Sequence, residues 1–333
     1  MQDIADACGF SRNTVSKAFN ARGGIPESTR RIILDKAKEL GYRPHPRAPV
    51  DTFRQPDVIR SIALFSCQKP SRNHYGTNMI TAFATRLSRA GYSLMMYNIT
   101  PGEIRDCRLP ASFSLEQTAG ILAIELFDRD YSRMLSELGL PLIFSDTYAR
   151  PNLAVLNADL ISMENVNSTI ALTDHLIQSG AKEIGFVGDP NHCNSFHERW
   201  SGYCKALGRA NLPQRKELCI LETDSDLYGI TAWLVEQLDK LPEIPDAFVC
   251  ANDYLAIHMM SALQKKGLSV PGDVLLSGFD GDLRTEILDV PLPTAVIPSS
   301  DIGYFAAGML LERIERLQLP YRRLYIQTTP MLK

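Results

Sequence analysis

Three short segments at the start of the chain place apolar residues at helical spacing. The first covers residues 2–8 and stops at a glycine. The second, residues 12–19, follows Ser11, a residue type that caps helix N-termini, and the third covers residues 26–40 and starts with a proline. A helix, a tight turn and a second helix with a polar exposed face predict a helix-turn-helix domain over residues 1–44.

Residues 61–333 alternate short apolar runs with longer amphipathic segments, which predict strands and helices respectively. The predicted strands are residues 62–66, 94–98, 120–124, 141–145, 154–157, 184–187, 219–221, 247–251, 274–278, 294–297 and 324–327. Repeated β-α alternation predicts parallel sheets with helices on both faces, and this many strands suits two sheets better than one. Because ligands collect at the carboxyl ends of such strands, a cleft between two lobes would take residues from both.

Charge is distributed unevenly along the chain, although the net charge is only −3. Residues 1–60 contain 11 Lys and Arg against 7 Asp and Glu, whereas the rest contains 24 against 31. A small basic head on a larger acidic body favours a separate nucleic-acid module, and chance scatter is the alternative. The exposed face of the second helix carries side chains that can bind base edges and phosphates: Arg12, Asn13, Ser16 and Lys17.

Composition and the N-terminal sequence predict a cytoplasmic protein. No apolar stretch approaches the roughly 18 residues of a membrane span. The first eight residues include two acids and lack the basic-then-apolar order of a secretory signal. The seven cysteines form no CxxC pair and are odd in number, which favours reduced thiols.

Familiar catalytic and metal-binding patterns are missing from the sequence. It contains no GxSxG, no P-loop and no GxGxxG after a strand, and His192, Cys193 and His197 lack a fourth ligand at useful spacing. We therefore predict no catalytic residues, no metal site and no cofactor. Two other classes stay open: a solute-binding protein without a DNA role, and a sugar-processing enzyme on an α/β scaffold. The missing signal and basic head oppose the first, and the missing catalytic constellation opposes the second.

Three parts of the head carry a distinctive pattern, namely DIADACGFSRNTVSKAFN at 3–20, Arg30 and KELGYRP at 38–44. They give residues 2–44 a resemblance to the head of the LacI/GalR family of bacterial transcriptional regulators. It implies that Arg12, Asn13 and Lys17 read operator bases. It also implies that other residues contact or position the DNA backbone, namely Thr14, Ser16 and Asn20. Ser11, at the start of the same helix, completes the predicted DNA-binding set.

The segment after the head departs from the family pattern. Residues 45–60 are predicted to be a linker at the place where the family has a hinge helix, typically rich in Ala and Arg with one leucine. Here residues 45–56 contain Pro46, Pro49 and Pro56 and no leucine. Because proline interrupts helices, we expect at most one helical turn in this linker.

Residues 61–333 resemble the family's effector-binding and dimerisation domain, whose fold is two-lobed and periplasmic-binding-protein-like. The strongest segments are HLIQSG at 175–180, ERWSGY at 198–203, CAND at 250–253 and PGDVLLSGFD at 271–280. We expect a first lobe of about 61–160 and 294–323, and a second of about 161–293 and 324–330. The predicted architecture is therefore a small all-α helix-turn-helix domain followed by a two-lobed α/β domain with two parallel sheets.

Effector contacts are implied by the same resemblance. Arg199, Asn252 and Asp280 fall on positions that contact effector in the family, and Asn167 and Ser195 fall near such positions. The loop containing Asn73 and Tyr75 replaces the family's aromatic loop after the first strand. Three residues could supply a ring that stacks on the ligand, namely Tyr75, Phe196 and, less favoured, Tyr228.

The chemistry of these side chains suits a ligand with adjacent hydroxyl groups. An arginine donates, an aspartate accepts and an asparagine does both, which favours a sugar or sugar derivative. Arg72 lies beside the loop that contains Asn73 and Tyr75 and carries a positive charge. A sugar phosphate or a carboxylate therefore stays open as an alternative ligand to an uncharged sugar.

The predicted function is a sequence-specific DNA-binding transcriptional regulator, a repressor, controlled by a small ligand bound between the lobes. One recognition helix reads only a half-site, so we expect a homodimer on a palindromic double-stranded operator. No membrane partner is expected, and the predicted location is the cytoplasm, on the nucleoid when DNA is bound.

Overall fold

The computed structural model describes residues 2–19, 26–40, 61–67, 74–152, 154–224, 226–282 and 292–332. The chain divides into two compact units, the head Met1–Val58 and the body Ile59–Lys333. The predicted linker, residues 45–60, lies outside the described residues, and so does the expectation about its helicity. Among the described residues, no helix is long and apolar enough to cross a membrane.

Three helices in the head share one apolar core. They are α1 (Gln2–Cys8), α2 (Arg12–Phe19) and α3 (Glu27–Glu39), close to the predicted segments. The buried core residues are Ile4, Ala5, Val15, Ala18, Ile33 and Ala37. Within α2 and α3 these residues are three or four positions apart, which places them on one face of each helix.

Six parallel strands form the first sheet of the body. They are β1 (Ser61–Ser66), β2 (Ser93–Asn98), β3 (Thr118–Ile124), β4 (Leu142–Ser145), β5 (Asp159–Met163) and β10 (Arg323–Ile326). Their order is β10-β5-β4-β3-β1-β2. Helices α4 (His74–Arg89) and α11 (Ser299–Glu315) pack together on one face, and α6 (Arg129–Ser136) packs on the other. A short helix, α5 (Pro101–Arg105), follows β2.

Three parallel strands form the second sheet, in the order β6 (Ile184–Val187), β7 (Ala247–Cys250), β8 (Leu275–Ser277). The helices of this half are α7 (Val166–Gln178), α8 (Asn194–Arg209), α9 (Thr231–Lys240) and α10 (Asp253–Lys265). Short 3-10 turns occupy Lys216–Leu218 and Asp226–Gly229. The prediction of two parallel sheets is confirmed.

A small antiparallel pair joins β9 (Thr294–Val296) to β11 (Thr329–Met331). Two short segments lead from the first sheet to other elements of the body. At residues 164–165 the chain passes from β5 to α7, and at residues 327–328 it passes from β10 to β11. We call these the two crossovers.

Some predicted strands were wrong. Residues 154–157 form no strand, and the strand lies at β5 instead. Residues 219–221 contribute only an isolated bridge between Ile220 and Val187, and β11 was not predicted. The strand β5 was missed because it begins with Asp159, a charged residue that is fully buried in the structure.

The predicted boundary between the lobes also needs correction. Residues 324–330 were assigned to the second lobe, but β10 pairs with β5 in the first sheet, and the boundary at 160 falls inside β5. Asp159 explains this position, because its carboxylate accepts hydrogen bonds from Arg313 at 2.9 and 3.0 Å and from the backbone N–H of Arg322 at 2.7 Å. This buried ion pair holds the start of β10 against β5.

Candidate DNA interface and effector cleft

The N-terminus of α2 is capped by two of the residues predicted to bind DNA. The backbone N–H of Thr14 donates to Ser11 Oγ at 3.1 Å, and the two hydroxyl oxygens are 2.8 Å apart. Ser11 and Arg12 are exposed, whereas Val15 and Ala18 are buried. The side chains of Asn13, Ser16 and Lys17, and all of Asn20, lie outside the described structure. The described part of α2 thus buries one face and exposes Arg12.

The end of α2 is attached to α3 by one side chain. Arg30 Nε donates to the backbone carbonyl of Ala18 at 3.3 Å. Carbonyls at a helix C-terminus lack intrahelical partners, so a cationic donor there is favourable. Arg30 belongs to the segment that resembles the family's head, and this contact gives it a structural role in positioning α2.

Arg199 is the centre of the candidate effector cleft. It lies on α8, is only 3% exposed, and makes three hydrogen bonds. Its Nε donates to Asn165 Oδ1 at 3.0 Å, and its Nη1 donates to the carbonyl of Ala251 at 2.7 Å and to Asp280 Oδ1 at 3.1 Å. The structure therefore brings together Arg199 and Asp280, which are distant in sequence.

Asp280 follows β8 in an unusual backbone conformation. Its φ is 120°, in the region that L residues rarely adopt, and its amide and carbonyl bond to the chain near Val296. The guanidinium carbon of Arg199 lies 3.8 Å from the centroid of the neighbouring Phe279 ring. The side chain of Asp280 is 29% exposed, so the ion pair is open to solvent on one side.

Asn252 follows β7 and the carbonyl that Arg199 binds. Its Oδ1 accepts a hydrogen bond from the backbone N–H of Leu255 at 2.9 Å, which caps α10. Asn252 and Asp280 thus lie just after the neighbouring strands β7 and β8 of the second sheet, and Arg199 of α8 binds the backbone or side chain at both strand ends. This is where parallel sheets place their ligand sites.

Asp253, the residue after Asn252, was missed by the sequence reasoning. It is fully buried and accepts hydrogen bonds from the Thr294 hydroxyl at 2.7 and 2.9 Å and from the backbone N–H of Asp282 at 2.7 Å. Burial raises the pKa of Asp253 to about 7, and the nearby charge of Asp280 adds to the rise. In the sequence, an acidic residue directly after an N-cap indicates only a favourable interaction with the helix dipole. Nothing in the sequence therefore indicated that Asp253 is buried against Thr294 and Asp282.

Asp146 was also missed, and it meets the predicted residue Ser195. Ser195 Oγ donates to Asp146 Oδ2 at 2.6 Å, and its backbone N–H donates to Asp146 Oδ1 at 3.2 Å. Burial raises the pKa of Asp146, while the Ser195 hydroxyl and the charge of Arg199 act in the opposite direction. Asp146 follows β4 with a φ of 59°, a conformation that could have been suspected only from structure.

The remaining predicted ligand residues are less favourably placed or not described. Phe196 is buried, with its ring centroid 5.3 Å from that of His192, and Tyr228 is buried with its hydroxyl donating to the carbonyl of Glu222. Asn167 is exposed on the first turn of α7, where it contacts Glu164. Asn73 and the side chain of Tyr75 lie outside the described structure.

The described residues include no group of three or more His, Cys, Asp or Glu arranged to hold a metal ion. His192 is one of the three residues considered above as metal ligands. Its Nδ1 lies 3.0 Å from Asp224 Oδ2, so its partner is a carboxylate.

Comparison with known proteins supports both units. The model of "Bacterial regulatory proteins, lacI family" matches residues 1–45, and that of "Periplasmic binding protein-like domain" matches residues 173–332. The HTH-type transcriptional repressor PurR of Actinobacillus pleuropneumoniae serotype 3 (strain JL03) is 27% identical over 334 residues, covering 100% of this chain and 96% of that protein. The HTH-type transcriptional regulator CelR of Thermobifida fusca is 25% identical over 335 residues, covering 100% and 97%.

Solved structures share the fold. A transcriptional regulator CelR–cellobiose complex has a TM-score of 0.71 at 24% identity and covers 98% of this chain and 97% of that one. The lac repressor dimer bound to operator and the anti-inducer ONPF has a TM-score of 0.68 at 19% identity, with coverage of 99% and 96%.

A helix-turn-helix head followed by a periplasmic-binding-protein-like body, in a chain whose relatives are HTH-type repressors and regulators, defines a DNA-binding transcription regulator. It is not an enzyme, because its relatives are transcriptional repressors and regulators. The chain is therefore similar to the lacI family of bacterial regulatory proteins in its head and to periplasmic binding protein-like domains in its body.

Proposed function

We propose that α2 reads operator bases with Arg12, Asn13 and Lys17. Ser11, Thr14, Ser16 and Asn20 orient the helix or contact the DNA backbone. The exposure of Arg12 and the cap formed by Ser11 and Thr14 support this assignment. Arginine and lysine suit guanine edges and asparagine suits adenine.

We further propose that the effector is a sugar or sugar derivative held by Arg199, Asn252 and Asp280. The observation that carries this proposal is the 3.1 Å contact between the buried Arg199 guanidinium and the partly exposed Asp280 carboxylate. Such a pair presents donors and acceptors side by side, as adjacent hydroxyl groups require. One structural relative holds cellobiose, which agrees with this class of ligand.

The other predicted contacts complete the proposed site. Ser195 and Asn167 would contribute polar groups. Asn73 and Tyr75 would contribute from the segment that leads into and begins α4, and Phe196 from α8. Asp146 joins this set because its carboxylate bonds Ser195 and responds to the charge of Arg199.

The protein acts, in this proposal, as a homodimer in the cytoplasm, bound to a palindromic operator on the nucleoid. Two copies of α2 are required because one recognition helix reads a half-site. The relative described as a repressor dimer bound to operator has the same fold.

The experiment is a two-stage binding assay. Selection from random double-stranded DNA with the full chain should yield a palindrome, and anisotropy on that DNA should then change when the cognate sugar from a panel is added. Selection of no sequence would contradict the DNA assignment. Selection of a palindrome whose affinity no sugar or sugar phosphate alters would contradict the ligand assignment alone.

A further inference from the structure

A cavity of about 390 Å³ opens at the two crossovers. Its described lining residues are Glu164, Asn167, Ser168, Tyr325, Gln327, Thr328 and Pro330. Apart from Asn167, these residues are separate from the set proposed above for the effector. The volume lies within the range of about 300–1,000 Å³ that small-molecule sites occupy.

Hydrogen bonds within residues 164–168, and from these residues to Thr328 of the second crossover, build the walls of this cavity. The hydroxyl oxygens of Ser168 and Thr328 are 2.7 Å apart, and the Thr328 hydroxyl donates to the backbone carbonyl of Glu164 at 2.7 Å. The Glu164 carboxylate accepts from the backbone N–H groups of Asn167 and Ser168 at 2.8 and 3.2 Å. The shape of the cavity therefore depends on how the two crossovers lie relative to each other.

The lining chemistry selects one class of ligand. The amides of Asn167 and Gln327 can donate and accept, while the Tyr325 oxygen and the Glu164 carboxylate can accept from hydroxyl groups. The described lining contains a carboxylate and neither Lys nor Arg, and the guanidinium of Arg323 lies 5.6 Å from the Tyr325 ring, so the lining itself offers a phosphate or carboxylate no cationic partner. We propose that the cavity is a second ligand site, which binds a small uncharged polyol.

Tyr325 connects this cavity to the Arg199–Asp280 pair. Its hydroxyl donates to Glu198 Oε1 at 2.5 Å, and Asn165 Nδ2 donates to Glu198 Oε2 at 2.8 Å. Asn165 Oδ1 in turn accepts from Arg199 Nε. A ligand that contacts Tyr325 therefore touches the first residue of a series of hydrogen bonds that ends at Arg199. Binding of this ligand would favour one arrangement of the two crossovers.

The test uses the full chain with Asp280→Asn, which weakens any polyol binding in the cleft. Ligand-observed NMR with myo-inositol, an uncharged probe, is compared with glucose 6-phosphate, an anionic one. Gln327→Trp is added to fill the cavity, and Gln178→Trp, at the exposed C-terminal end of α7, is the matched control.

Myo-inositol should bind the Asp280→Asn protein and the Gln178→Trp control alike, and about tenfold more weakly after Gln327→Trp, a loss of about 1.4 kcal/mol. Gln327→Leu, which removes the amide without adding a ring, should change affinity in the same direction. Glucose 6-phosphate should not bind the cavity. Equal myo-inositol binding by both tryptophan variants, or none to the Asp280→Asn protein, would overturn the proposal. The two tryptophan variants differ only in whether the cavity is filled. A negative result would therefore overturn the cavity proposal and leave the proposal of a sugar in the Arg199–Asp280 cleft untouched.

Discussion

The carboxylate of Asp146 accepts a 2.6 Å hydrogen bond from the hydroxyl of Ser195, and both residues are buried. Asp146 follows β4 in the first sheet, whereas Ser195 lies in the first turn of α8 beside the second sheet. The backbone N–H of Asn194 also donates to the carbonyl of Thr147 at 2.8 Å. The two halves of the body are therefore joined beside Arg199.

Ser195→Ala should destabilise the body by about 1–3 kcal/mol, because it leaves a buried carboxylate with one donor fewer. The loss should grow as pH rises above the ordinary aspartate pKa of about 4, since removing the donor raises the pKa of Asp146 further and its ionised form becomes costlier. Urea unfolding across this range measures both effects. Ser261→Ala, which removes only a bond to the carbonyl of Ile257, is the control. A pH-independent deficit would contradict the role of the Asp146 charge.

Asp253→Asn should remove a pH dependence of stability. The pKa of Asp253 is raised to about 7 in the folded chain, above its ordinary value, so folded protein holds this proton where unfolded protein has released it. Stability should therefore fall as pH rises between about 4 and 7, by at most about 1.4 kcal/mol per pH unit from this group. The substituted asparagine has the same shape as the aspartate but no titrating group, so the stability of Asp253→Asn should not fall with pH because of this position.

Urea titrations of Asp253→Asn and the parent chain from about pH 5 to pH 8 test this expectation. The variant should gain stability relative to the parent as pH rises. Asp301→Asn, an exposed first-turn residue of α11, should follow the parent. Parallel curves for Asp253→Asn and the parent would show that Asp253 does not titrate in this range.

Arg12→Ala and Lys17→Ala should each weaken specific operator binding by about 1–3 kcal/mol, because each would lose a contact to a base edge. Anisotropy with the selected operator and with a shuffled sequence separates specific from nonspecific loss. Arg89→Ala, on the exposed surface of α4, changes the net charge equally and should leave operator affinity unchanged. Normal operator binding by both head variants would mean that α2 is not the recognition helix.

The local spacing of apolar and polar residues was sufficient to predict elements that have one buried and one solvent-exposed face. The apolar spacing of Val15 and Ala18, with Ser11 as a cap, predicted α2 with its observed bounds. Parallel strands were equally visible where they are uniformly apolar, as in β1.

The strand β5, which begins with the charged residue Asp159, was not visible in this way. Asp159 and Arg313 are 154 positions apart, and their pairing turns two apparently surface-type residues into a buried contact that fixes β5 and β10. The same holds for Asp146 and Asp253, whose roles depend on partners that are distant in sequence. Sequence spacing carries no signal for such long-range pairs, so the cleft was predicted only in part.

Asp280→Asn tests whether a sugar held by Arg199 and Asp280 controls operator affinity. Asparagine keeps the size and shape of the aspartate side chain that already occupies this position with a φ of 120°, so the fold should be retained. Losing the charge-assisted acceptor should weaken sugar binding by about 1.5–3 kcal/mol. Asp226→Asn, at an exposed turn, is the control.

The decisive measurement is calorimetric titration of the cognate sugar into parent, Asp280→Asn and Asp226→Asn proteins, paired with operator anisotropy in the same sugar series. Without sugar, all three proteins should bind operator with equal affinity. The concentration at which sugar alters operator binding should rise about 10- to 150-fold for Asp280→Asn alone. Equal sugar affinity and equal operator response in Asp280→Asn and the parent would mean that Asp280 does not hold the controlling sugar.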